Sequence, residues 1–326
     1  MVSAVEQPAL NAAEAEALLA IPSVEALVAK TGTFVPDATR AKFIADVLGF
    51  SRSRAEIHGY FALGSVFEQR ASVRALLTTL SADEAALRTR LLGRLRRYAP
   101  VTPTVAMTVH YVAGGLADGF VLDNRPEPDL YVALDKAAGD AVGVEQNLSH
   151  ELYHSLQKAS ASRLPAARGF IASITQQPPA HRLLATTLWE GTANLAADAR
   201  QMPAGGAYMK MWRDRYERQL APANVAASFA EFGTTFAALH AGTIDFDTAS
   251  HRGFDGGDNG SPYYFVGMAM AEALIAAHGR AYLDELFTRP PTQFFRDYLV
   301  LSRARSMLPQ FGAAGEAALL AQPPSW

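Results

Sequence analysis

Apolar residues recur at helical spacing over most of this chain, and only one short region changes to a strand-like character. From Asn11 to about Tyr98 the sequence reads as successive helices dominated by Ala, Leu, Arg and Glu, residues of high intrinsic helix propensity. Asp37 precedes Ala38 to Leu48 as an N-cap. Ser81-Ala82-Asp83-Glu84 has the form of a capping box opening a helix that runs to Arg97, and Pro100 stops it. After Val101, β-branched and aromatic residues cluster in Thr104 to Tyr111, Gly119 to Leu122 and Leu130 to Leu134, three runs that predict a small, mostly antiparallel sheet. The stretch Leu130 to Asp135 is a candidate edge to which an extended peptide could add, with a purely core-filling strand as the alternative.

Helical periodicity returns from about Val144 to Lys158. A loop-rich connection follows from Ala159 to Pro179, with a short helix around Gly169 to Thr175. Helices are then predicted from His181 to about Arg200, Ala207 to Gln219, Ala223 to His240, Pro262 to His278, Ala281 to Phe287 and Pro291 to Ser302, with a short final one from Gly315. Arg252 to Gly260 is glycine-rich, fails the calcium-loop spacing and reads as a flexible loop over a cleft. The fold class is therefore α+β and predominantly helical. Its regions are 1–100 (helical), 101–200 (sheet and two helices) and 201–326 (helical).

Composition narrows the chemistry more than the fold. With 49% hydrophobic and 19% charged residues and a net charge of −3 over 326 residues, the chain has the make-up of a globular protein, and nothing in it invites nucleic acid. Met1 to Leu10 lacks the charge and apolar core of a signal peptide, and no apolar run is long enough to span a bilayer. These features predict a soluble protein, with an exported, processed form also compatible. There is no cysteine, so any metal must be held by His, Asp and Glu.

Against that background His150-Glu151-Leu152-Tyr153-His154 stands out as H-E-x-x-H. Residues four apart share a helix face, so both imidazoles can reach one zinc ion while Glu151 sits beside it as general base toward a zinc-activated water. Glu190 is the strongest third-ligand candidate. It is an acid among Leu183, Leu184, Ala185, Leu188, Trp189, Ala193 and Leu195, where an unpartnered carboxylate would be costly to bury. Asn194, one turn on, is a candidate acceptor for the outer N–H of a ligating histidine. Ser261 and Pro262 form a natural N-cap and first helical residue, which puts Tyr263 and Tyr264 in a first turn where developing negative charge is favoured. Either tyrosine can be an oxyanion donor or a core aromatic, and His251 is a weaker donor candidate. His110, His181, His240 and His278 have no partner at ligand spacing and read as structural, as do His58 and Tyr60.

His150, Glu151 and His154, followed by Glu190 in a Glu-Gly-x-Ala context, resemble the gluzincin class of zinc metallopeptidases. Ser261 to Gly267 is similar to the Tyr-x-x-Gly helix start of gluzincin aminopeptidases, and Tyr264 occupies the place of their oxyanion-stabilising tyrosine. The chain also resembles uncharacterised bacterial proteins described as zinc-dependent peptidases. The resemblance covers roughly residues 104–300. It implies a zincin-like core, Zn2+ as cofactor, His150, His154 and Glu190 as metal ligands, and Glu151 and Tyr264 as catalytic residues acting on a peptide substrate. Two departures set its limit. Ser155 to Trp189 inserts 35 residues between His154 and Glu190, more than in the best-known aminopeptidases, and their Gly-x-Met-x-Asn segment for gripping a free amino terminus is absent. Specificity is therefore not inherited. A zinc hydrolase or lyase for a small non-peptide substrate, and a non-catalytic helical scaffold, stand as the alternatives.

Overall fold

The structure is a computed structural model that describes residues 1–99, 106–121, 129–137, 139–255 and 260–323. Pro100, Thr104, Leu122 and residues 256–259 of the glycine-rich stretch lie outside the described residues. The first helices are α1 (Val2–Glu6), α2 (Ala12–Leu19), α3 (Pro22–Phe34), α4 (Arg40–Ser53), α5 (Leu63–Glu68), α6 (Arg70–Ala82) and α7 (Glu84–Tyr98). Strands β1 (Thr108–Val112), β2 (Gly119–Val121) and β3 (Asp129–Ala133) come next, then α8 (Ala141–Ala161), α9 (Pro165–Ala172), α10 (Pro179–Ala196) and α11 (Ala207–Gln219). The chain ends with α12 (Pro222–His240), α13 (Phe246–Phe254), α14 (Pro262–His278), α15 (Ala281–Leu286), α16 (Pro291–Ala304) and α17 (Gly312–Ala321). None of the described helices is long and apolar enough to cross a membrane.

Contacts divide the described chain into two units. One comprises Met1–Leu92, Ala106–Glu151 and Met202–Met211; the other comprises Gly93–Val105, Leu152–Gln201 and Trp212–Trp326. The division passes through α8 between Glu151 and Leu152, so that helix belongs to both.

In the first unit several helix starts differ from expectation. Thr39, not Asp37, caps α4 by accepting from Lys42 N at 3.4 Å, while Asp37 binds the Lys42 ammonium and the Tyr60 hydroxyl. Ser81 lies inside α6, and Asp83 is the break from which α7 starts, so the capping box does not form. The cap that positions the histidine helix is Asp140. Its Oδ1 accepts from Gly143 N at 3.1 Å in α8, and its Oδ2 accepts from Met209 N at 2.8 Å, the third residue of α11. One buried carboxylate thus serves the first turns of two helices.

The sheet has the order β1-β3-β2 and is mixed, which corrects the expectation of a mostly antiparallel one. β1 pairs parallel with β3 from Thr108↔Asp129 to Val112↔Ala133, and β2 pairs antiparallel with β3 from Gly119↔Val132 to Val121↔Leu130. The link from β1 to β2 is pinned by Gly114 N–H to Asp135 Oδ1 and Gly115 N–H to Phe61 O, and β3 takes the place between the two strands. The continuous apolar run Leu130 to Ala133, buried throughout, belongs in the sheet centre. Leu130 to Asp135 is therefore not an edge; the edges are β1 and β2.

In the second unit α10 and α14 pack at glycine–glycine distance. A Cβ added at Gly191 would lie 2.4 Å from Gly267 Cα, and one added at Gly267 would lie 2.0 Å from Thr187 O. Beyond the end of α10, Arg200 reaches Glu272 of α14 at 3.1 Å. Phe229, Phe232, Phe236, Phe265, Phe295 and Phe311 form the aromatic core around them. The predicted loop Arg252 to Gly260 is in its first part the end of α13, whose start Asp245 caps by accepting from Thr248 N at 2.8 Å. Gly191→Ala should lower the stability of the protein by about 1–3 kcal/mol, the usual cost of overpacking. Gly93→Ala in α7, where an added Cβ meets nothing within 4 Å, should raise it by up to about 1 kcal/mol. Urea melts of the two variants check the pair, and equal effects would contradict the close contact.

Candidate metal centre

Helix α8 places its apolar residues Val144, Leu148 and Tyr153 in the core and leaves His150, Glu151 and His154 half-buried on another face. Tyr153 anchors the second half of the helix: its ring is fully buried beside Phe287 and its hydroxyl donates to Tyr98 O at 2.8 Å. In α10 the buried stripe is Leu183, Leu184, Leu188, Ala193 and Leu195, and Glu190 is half-buried at its margin. His150, His154 and Glu190 each offer a ligand atom, and these atoms all lie within 4.8 Å of one another. His154 Nε2 stands 3.5 Å from Glu190 Oε2. Two ligands each about 2.1 Å from a tetrahedral zinc are about 3.4 Å apart, so this pair has the separation that the ion requires. Two imidazoles and a carboxylate are also the donor types that zinc takes where no thiolate is present. The residues fit the ion.

The outer nitrogen of His154 is held by a residue that the sequence reading did not single out. Nδ1 lies 2.8 Å from Gln157 Oε1, and Gln157 Nε2 donates to Trp189 O at 2.8 Å and to Thr192 Oγ1 at 2.7 Å, both on α10. Asn194 was expected in that place. At His154 the place is taken by Gln157, because α8 brings its own i+3 side chain closer than α10 can bring a residue one turn beyond Glu190. Asn194 is buried, and its carbonyl accepts from the Tyr216 hydroxyl at 3.0 Å. The signal for Gln157 was its spacing from His154, three residues along the same helix.

Glu151 packs against the sheet edge. Gly119 opens β2, and a Cβ there would lie 2.9 Å from Glu151 Cγ and 2.5 Å from Asn147 Oδ1, so only glycine lets strand and helix meet this closely. The outer side of β2 has no strand partner among the described residues.

The two tyrosines separate clearly. Tyr263 is fully buried between Phe232, Phe254 and Gly253, and burial pushes its hydroxyl up to about 12. Tyr264 is half-buried, its ring edge-on to Phe254 at 5.5 Å, one turn before the Gly267 contact with α10. Ser261 does not cap α14 as expected. It adopts φ 55° and turns its hydroxyl to Phe254 O at 2.8 Å, while Pro262 does take the first helical position. His251 is exposed and paired with Asp255.

Four of the remaining histidines have local partners among the described residues. His58 binds the buried Asp46 at 3.0 Å, His110 stacks on Tyr131 at 4.9 Å, His240 meets Gln322 at 2.8 Å and His278 stacks on Tyr282 at 5.5 Å. Burial lowers the pKa of His181.

Neither the curated proteins nor the solved structures give a match to the chain. A family model does match, over residues 16–303, which takes in both histidines of α8, Glu190 and the whole of α14. Zinc is the metal of that family's description, in keeping with the donor set at the three converging side chains. The chain belongs to the DUF5700 family, described as "Putative zinc dependent peptidase".

Proposed function

We propose that the protein is a zinc-dependent metallopeptidase of gluzincin type, with α8 and α10 as the arms of a zincin-like metal centre. The observation that carries the reading is the convergence of His150, His154 and Glu190 with Glu151 beside them on α8. When bound by these three side chains, zinc supplies a Lewis acid that polarises a carbonyl and acidifies a water. The chain's own groups do the rest. Glu151 takes a proton from the attacking water and returns it to the nitrogen that leaves, as a general base and then a general acid. Tyr264 donates its hydroxyl to the carbonyl oxygen as that atom gains negative charge. An extended peptide laid along the outer side of β2 would bond to the strand backbone and run past Glu151, since Gly119 brings that strand against the Glu151 side chain.

Two sets of variants test these roles. Glu151→Gln should keep its zinc and lose about 100-fold or more in peptide turnover, within the range for general acid–base groups. Full activity on a peptide library in that variant would end the proposal. Tyr264→Phe should lower kcat by about 100-fold with little change in melting temperature, as for loss of an oxyanion donor. Tyr263→Phe should leave kcat near wild type, and the reverse pattern would transfer the role to Tyr263.

A further inference from the structure

Gln157 is 3% exposed, and its amide orientation follows from its neighbours. Its Nε2 lies 2.8 Å from the carbonyl of Trp189, which can only accept, so that end of the amide must be the donor. The other Nε2 contact agrees. Thr192 Oγ1 gives its own proton to Leu188 O at 2.8 Å and keeps a lone pair for Gln157. Oε1, an acceptor without a proton, therefore faces His154 Nδ1 at 2.8 Å, and Nδ1 must carry the hydrogen. A neutral imidazole has one N–H, so Nε2 is left with its lone pair, and Nε2 is the atom turned toward Glu190 at 3.5 Å.

We infer that Gln157 is a positioning residue that fixes His154 in its Nδ1–H tautomer and so presents Nε2 as the metal-binding atom. The inference rests on the zinc reading of this centre for its purpose, though the tautomer follows from the hydrogen bonds alone. Free histidine prefers the opposite form, with the hydrogen on Nε2, which would aim a donor at the place a cation should occupy. Gln157 removes that competition. It does so from α8 while its amide nitrogen is tied to α10, so the same side chain also sets the ring against the helix that carries Glu190.

Two substitutions separate the tautomer role from that of a simple tie between helices. Gln157→Leu removes the acceptor and both donor bonds. Gln157→Glu also loses the donor bonds to Trp189 and Thr192 but keeps an acceptor for Nδ1–H. Long-range 1H–15N spectra of metal-free, 15N-histidine-labelled protein at about pH 8, above the ordinary histidine pKa, read the tautomer directly. His154 is assigned by its loss in His154→Gln. Zinc affinity is measured on the same proteins by competition with a chromophoric chelator. The wild type and Gln157→Glu should show a protonated Nδ1, and Gln157→Leu the Nε2–H form with zinc bound about 10–100-fold more weakly. Gln157→Glu should hold zinc close to the wild-type value even if it melts earlier. A bare Nδ1 in the wild type, or wild-type zinc affinity in Gln157→Leu, would overturn the inference. If the wild type shows a protonated Nδ1 yet takes up no zinc, the metal reading fails and the assignment of the tautomer to Gln157 stands.

Discussion

The candidate centre depends on one requirement: a carboxylate on α10 must be delivered to a point that α8 has already defined. The two histidines of α8 are related by the helix itself, so their spacing needs no tertiary support. Glu190 has no such guarantee. It is placed by contacts that leave little freedom, the Gln157 amide joining the second half of α8 to Trp189 and Thr192, and the glycine–glycine approach of α10 to α14. Around these contacts the unit is built of aromatic rings in edge and stacked arrangements, which resist small shifts because interiors are packed to crystal-like density.

Polarity at the centre is graded. His150, His154 and Glu190 are half-buried, so their charges are only partly removed from water, whereas the groups behind His154, Gln157 and Thr192, are buried. That buried layer is a neutral amide and a hydroxyl. That choice fixes direction without adding charge, which matters where burying an uncompensated ion would cost several kcal/mol. Next to His150 on α8, Gly119 lets the short strand β2 approach Glu151.

Much of this was legible from local pattern. The helix from Pro262 to His278 was readable to the residue because proline opens it and Gly279 closes it at positive φ, and the i,i+4 histidines showed as a pentapeptide. Glu190 was visible as an acid in an apolar helix, and it sits beside His154. What escaped depended on partners far apart in the chain or on choices between near-equivalent groups. The place of Leu130 to Ala133 in the sheet turned on which strand neighbours which, something the runs themselves do not encode. Ser261 was read as a cap from its residue type, yet its hydroxyl is drawn to Phe254 O by a loop whose path the sequence does not show. Thr39 displaced Asp37 because a lysine and a tyrosine claim that carboxylate. Gln157, the partner of His154, carries no sequence mark beyond its i+3 spacing, and only the packing of α8 on α10 fixes its amide in that place.

The central claim is that His150, His154 and Glu190 form a zinc site whose occupancy stabilises the folded protein. The most direct test is metal analysis of protein purified without added zinc, combined with thermal melting before and after a strong chelator. The account predicts one zinc per chain and a melting temperature that falls when the ion is withdrawn and recovers when it is restored, since a ligand bound only by the folded state stabilises it. A chain that carries no stoichiometric zinc and melts at the same temperature with and without chelator would contradict it.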